Sequence, residues 1–176
     1  MSEANDQHAK DYHELSGTEA QEKISEMVKG MHICMMSTLA EDGSIDARPM
    51  ALQNKPFDGT MWFLTRATSE KVDEVRKDQH ITLTFAEPAD GKYLTLKGKA
   101  FASEDRTKIH ELWNDMYKAW FPKGEDDPDI AVLRVEVGSG DYWAANSSKL
   151  VRYTKIAIAA ATGGSVPVGE SGHVSL

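Results

Sequence analysis

Polar positions fill the first seventeen residues, where Asp6, Lys10, Asp11 and Glu14 interrupt any apolar run, so 1–17 read as a flexible N-terminal tail and not as a secretory signal. Thr18 with Gln21 three residues on is a capping-box pattern. Ile24, Met27 and Val28 then share one face before Gly30, which predicts a first helix of about three turns. The run 32–39 is apolar and short, and Glu41-Asp42-Gly43-Ser44 turns it back onto 45–52. In that second strand Ile45, Ala47, Pro49 and Ala51 lie on one face and Asp46, Arg48, Met50 and Leu52 on the other. Pro49 has no N–H for a ladder and marks an edge.

A third strand, 60–65, is apolar on both faces through Met61, Trp62, Phe63 and Leu64, which predicts a central position. Ser69 caps a short helix over 70–77, and 81–85 alternates as a fourth strand. The fifth, 93–102, contains Gly98, the signature of a bulge or bend. Ser103 opens a helix with an apolar stripe of Ile109, Leu112, Trp113, Met116 and Tyr117, stopped at Trp120-Phe121-Pro122. The last strong strand is 130–137, after which Asp141-Tyr142-Trp143 rejoins the sheet as a separate short segment. The Ala-rich 150–161 predicts a terminal helix, and 163–176 a loose C-terminal tail. The expected fold is mainly β with peripheral α: an antiparallel barrel of about six strands with helices packed around it, formed by one domain over 18–162.

Composition narrows the partners. A net charge of −8 with scattered Lys and Arg argues against nucleic acid and against an anionic membrane surface. No apolar window approaches the roughly 20 residues that span a bilayer. A single cysteine, Cys34, rules out a disulfide framework and points to a reducing, cytoplasmic setting, with the thiol read as a small buried hydrophobe. His32, His80 and His110 share no metal-ligand spacing, so no metal is expected, and Gly138-Ser139-Gly140 lacks the third glycine of a dinucleotide loop.

One group of residues carries chemistry. If strands 45–52 and 60–65 pair, Arg48, Thr65, Ser69 and Lys71 converge at a helix start, where backbone N–H groups, a hydroxyl and cations suit a phosphate. Trp113, Tyr117 and Trp120, at helical spacing, are most simply core residues and can also line a cleft.

The runs Ala47-Arg48-Pro49-Met50-Ala51-Leu52, Phe63-Leu64-Thr65-Arg66-Ala67-Thr68-Ser69-Glu70-Lys71, Tyr93-Leu94-Thr95-Leu96-Lys97-Gly98-Lys99-Ala100 and Tyr142-Trp143 occur in an order that resembles the pyridoxamine 5′-phosphate oxidase-like FMN-binding split barrels. Ala119-Trp120-Phe121-Pro122-Lys123-Gly124, Asp126-Asp127-Pro128 and the C-terminal Gly169-Glu170 with Val174-Ser175-Leu176 resemble the bacterial general stress proteins within that group. The resemblance implies a split barrel that forms a homodimer with FMN, or FAD if the phosphate pocket is open, at the subunit interface. It places Arg48, Pro49, Met50, Ala51, Leu52 and Gln53 along the flavin edge and phosphate, and Leu64 and Thr65 at the ring and ribityl chain. Ser69, Glu70 and Lys71 fall at the phosphate, Trp143 and Lys149 near flavin and substrate, and Trp113, Tyr117 and Trp120 beside the substrate cleft. Two departures stand out. The vitamin-oxidising members carry Lys where Gln53 stands and Arg-Leu-His where Lys149-Leu150-Val151 stands, so pyridoxamine phosphate oxidation is not expected. The implied activity is that of a flavin-dependent oxidoreductase without an evident acid–base residue. A flavin-binding or flavin-sequestering stress protein is the alternative, and a barrel for another phosphorylated ligand such as a pyridoxal derivative or deazaflavin the weaker one.

Overall fold

The computed structural model describes residues 12–53, 55–145, 158 and 169–176. In chain order the elements are β1 (Tyr12–Ser16), α1 (Gly17–Val28), β2 (Ile33–Leu39), β3 (Ile45–Ala51), β4 (Thr60–Arg66), α2 (Glu70–Lys77), β5 (His80–Glu87), β6 (Lys92–Ser103), α3 (Arg106–Leu112), a 3-10 turn (Asp115–Ala119), β7 (Ile130–Ala144) and β8 (Glu170–Ser175). The strands form one sheet in the order β1-β8-β7-β6-β5-β2-β3, with β4 paired to the first half of β7. The run β3-β2-β5-β6-β7-β4 curls into a barrel. Among the described residues no ladder joins β3 to β4, so the barrel is split there. The second half of β7 leaves the barrel and continues into β8 and β1.

Alternation builds the core. Met36 on β2, Met61 and Phe63 on β4, Leu83 and Phe85 on β5, Leu94 and Leu96 on β6 and Val135 on β7 point inward and are buried, closed at one end by Ile24 and Met27 of α1. Gly98 behaves as its isolated position suggests: the β6–β7 register shifts between Lys97 and Gly98, and a Cβ on Gly98 would lie 2.3 Å from the Glu136 carbonyl oxygen.

Several expectations are corrected. Among the described residues β4 pairs only with β7 and is not central. Both its faces are apolar because Met61 and Phe63 face the barrel core while Leu64 and Trp62 pack against Ile109, Leu112, Tyr117 and Phe121. The helix expected from 104 with a stripe to Tyr117 is broken. β6 runs to Ser103, Asp105 caps α3 by accepting from Lys108 N–H (3.2 Å), and Asn114 caps the 3-10 turn by accepting from Met116 N–H (2.9 Å), leaving Met116 77% exposed. Ser103 caps nothing. The segment 141–143 is no separate strand but part of the fifteen-residue β7. Residues 12–16 of the expected N-terminal tail form β1, parallel to β8 from the expected C-terminal tail, and Lys23 of α1 reaches Glu170 (2.5 Å) to tie the pair to the core. The edge position of Pro49 is as expected, since among the described residues β3 pairs only with β2. The expected helix over 150–161 lies outside the described residues apart from Ile158, which is helical.

Candidate flavin-phosphate site

α2 follows β4 directly and meets β3 through Glu74 and Arg48. β4 ends at Arg66, the chain turns through Ala67-Thr68, and α2 begins at Glu70. Asp129 fixes this turn. Its carboxylate accepts from Thr68 N–H (3.1 Å) and Thr68 hydroxyl (2.9 Å), pairs with Arg66 (3.1 Å), and is held below the usual carboxylate range, first by the Thr68 hydroxyl. Ser69 occupies the cap position, but its hydroxyl donates to Arg66 C=O (2.7 Å) and does not cap the helix. The first N–H groups of α2 therefore have no side-chain acceptor.

The expected pairing of strands 45–52 and 60–65 is corrected: among the described residues β3 pairs with β2 and β4 with β7, yet Arg48, Thr65, Ser69 and Lys71 come near one another through α2. Lys71 Nζ donates to Thr65 Oγ1 (3.1 Å), which lies 3.5 Å from Ser69 Oγ. Burial lowers the Lys71 pKa from its ordinary value, and the neighbouring Arg48 guanidinium lowers it further. Arg48 comes from the inward face of β3. It donates to Glu74 Oε2 (2.9 Å), to Asp46 C=O (3.2 Å) and to the Thr38 hydroxyl, and Thr38 itself donates to Glu74 (2.5 Å). These contacts orient the guanidinium and leave part of its five-donor fork free. Neither Thr38 nor Glu74 was anticipated. Their signal was weak: one hydroxyl in an apolar strand, and one acid between Val72 and Val75 on the buried face of α2.

The remaining candidates divide. Pro49 and Ala51 face away from the barrel core and Met50 into it, while Leu52 donates its N–H to His32 C=O (2.9 Å) and extends the β2–β3 pairing. Leu64 is buried in the second cluster, against which Ala51 and Trp113 pack. Gln53 Nε2 donates to the Tyr117 hydroxyl (2.6 Å), joining the end of the β3 segment to the aromatic segment. Trp113 lies 5.9 Å from Tyr117 and 6.3 Å from Phe121, and Tyr117 lies 6.4 Å from the exposed Trp120. Glu70 is exposed at the first turn of α2. Trp143 is not among the residues that meet here. It stands eleven residues beyond Val132, the β7 partner of Leu64, near the opposite end of β7. Lys149 lies outside the described residues. Among the described residues no cluster of His, Cys, Asp and Glu could hold a metal, and no helix is long and apolar enough to cross a membrane.

An antiparallel barrel left open between β3 and β4 defines a split-barrel protein. The chain belongs to the pyridoxamine 5′-phosphate oxidase-like family, whose sequence model matches residues 19–167. It is similar to protein bli-3 of Neurospora crassa, 25% identical over 162 residues that make up 86% of this chain and 78% of that one. Among solved structures, a candidate general stress protein 26 from Jannaschia sp. CCS1 superposes with a TM-score of 0.71 at 24% identity, covering 88% of this chain and 97% of the other. The general stress FMN/FAD binding protein of Xanthomonas citri superposes with a TM-score of 0.64 at 26% identity, covering 75% and 93%.

Proposed function

We propose that this chain is an FMN-binding general stress protein acting as a flavin-dependent oxidoreductase, with its cofactor held between two copies of the chain. The observation that carries the reading is the meeting of Arg48, Thr65, Ser69 and Lys71 at the uncapped start of α2. Two cations and two hydroxyls beside free helix N–H groups fit a phosphate dianion, and burial of Lys71 beside Arg48 makes an anion favourable there. The similarity to the Xanthomonas citri FMN/FAD binding protein supports a flavin as the phosphate's owner.

When bound, the flavin supplies the electron chemistry. Arg48, Thr65, Ser69 and Lys71 bind its phosphate, and Ala51 and Leu64 flank its ring. Gln53 and Tyr117 present a neutral, hydrogen-bonded pair toward the substrate side, beside Trp113 and Trp120. A neutral amide at Gln53 offers no clamp for a substrate phosphate, so pyridoxamine phosphate is not a substrate.

Two features support a homodimer. Trp143, which the resemblance puts near the flavin, stands at the opposite end of β7 from the Leu64 pairing, and the outward face of the sheet exposes Ile33, Met35, Leu39, Ile45, Tyr93 and Trp143, with Ile45 73% exposed. A second copy covers such a face and brings Trp143 across. The test is an absorption spectrum of the FMN-loaded protein given NADH or NADPH and small acceptors. Bleaching of the flavin band and its return with the acceptor are expected; a band that stays oxidised with every donor would reduce the function to flavin binding. Formation of pyridoxal phosphate from pyridoxamine phosphate would contradict the substrate assignment.

A further inference from the structure

β7, β8 and β1 align two rows of side chains on one outward face. In the first, Tyr93 is opposite Trp143, Trp143 opposite Ser171, and Ser171 opposite Tyr12. In the second, two residues along, Thr95 is opposite Asp141, Asp141 opposite His173, and His173 opposite Glu14. The alternate residues Tyr142, Gly172 and Val174 are buried, so both rows share the face that exposes Trp143. His173 is the diagonal cross-strand neighbour of Trp143, about 7–8 Å away and within side-chain reach.

The imidazole is held in one orientation. His173 Nδ1 lies 2.9 Å from Asp141 Oδ1, while Lys97 Nζ stands 3.6 Å from the other Asp141 oxygen. With Asp141 accepting from Nδ1–H, Nε2 is the basic nitrogen, and among the described residues it has no partner. The charged groups facing the ring are Asp141 on β7 and Glu14 on β1, with Lys97 of β6 behind Asp141. These carboxylates offset the charge of an imidazolium and repel an anionic ligand.

We propose that His173, positioned by Asp141, is the proton-exchanging residue of the flavin site, delivered to the partner's cleft together with Trp143. The inference rests on the dimeric flavin reading above. At Nε2 the neutral ring takes the proton of a substrate O–H or N–H group: that bond breaks, an Nε2–H bond forms, the substrate keeps the electron pair, and the imidazolium is balanced by Asp141 and Glu14. The substrate class that fits is a small, unphosphorylated molecule with a weakly acidic O–H or N–H, in agreement with the neutral Gln53–Tyr117 pair. The terminal strands are therefore part of the site.

Two measurements on the full-length protein test this. First, histidine-ring NMR with FMN added, His173 assigned by its loss in His173→Gln: the His173 resonances move as the flavin band reports binding. Unmoved resonances with FMN bound overturn the placement of His173 while leaving the flavin reading intact, whereas failure of the wild-type protein to bind FMN overturns that reading as well. Second, the ultraviolet difference spectrum of para-hydroxybenzaldehyde bound to the FMN-loaded protein, read at a pH where the free phenol is protonated. The wild type shows the bound phenolate, its proton held on His173 Nε2, while FMN-loaded His173→Gln shows the neutral phenol. The same ionisation state of the bound phenol in the two proteins, or no binding of the phenol, overturns the proton-exchange role.

Discussion

Lys71 carries a cost and a use that pH separates. Its folded pKa is lowered from 10.5, first by burial and then by Arg48, so between the folded value and 10.5 the unfolded chain binds more protons. Stability of the apoprotein accordingly rises with pH through that window. FMN affinity moves the opposite way, because the phosphate needs the charged ammonium, and it starts to fall below pH 10.5. Lys71→Met is expected to weaken FMN by about 1.5–3 kcal/mol, roughly 10- to 150-fold, while the apoprotein's melting temperature rises. Isothermal titration and thermal melts on the same samples check both signs; a variant that loses stability and keeps FMN would contradict the assignment. Cys34 gives a second expectation at this scale. Burial pushes its thiol up to about 12, so thiol reagents should label the native protein only as fast as it unfolds.

At the level of elements, the turn from β4 into α2 depends on Asp129, which lies more than fifty residues away in sequence. Asp129→Ala removes the acceptor for Thr68 N–H and hydroxyl and the partner of Arg66. The expected result is an FMN affinity loss of about tenfold with the dimer unchanged, read by flavin fluorescence and sedimentation, since the cradle residues stay but their spacing relaxes. Gly140→Ala places a Cβ 2.3 Å from the Thr95 carbonyl oxygen and 2.7 Å from Leu96 Cδ2. It should destabilise the β6–β7 ladder by about 1–3 kcal/mol in urea unfolding.

What the sequence showed follows the range of the forces involved. β2, β3, β5 and most of β6 were legible because each alternates or turns locally, and Gly98 because a lone glycine in a strand has few other causes. β4 was misplaced since burial on both faces has two sources that sequence cannot tell apart, the barrel core and the α3 cover. The break at Trp113 was hidden because the apolar spacing continues past it while Asn114 quietly captures Met116 N–H. β1 and β8 were invisible: each has a single well-packed apolar residue, Leu15 and Val174, and each exists through pairing with the far end of the chain. The cradle was half legible. Arg48, Thr65, Ser69 and Lys71 were found from the helix start, whereas Glu74 and Thr38, which aim Arg48, act through contacts that no spacing reveals.

In the whole molecule, the proposed flavin site takes residues from two chains. On that proposal the phosphate would sit at α2 of one chain, while a tricyclic ring beside Leu64 would need a second wall, which another copy would supply with its Trp143. Sedimentation velocity of the FMN-loaded protein over a dilution series, followed at the protein band and at the flavin's visible band, tests this most directly. The expected result is that flavin sediments with the dimer and is released as the dimer dissociates, with Arg48 and Lys71 intact throughout. A monomer that carries tightly bound FMN down the cell would contradict it.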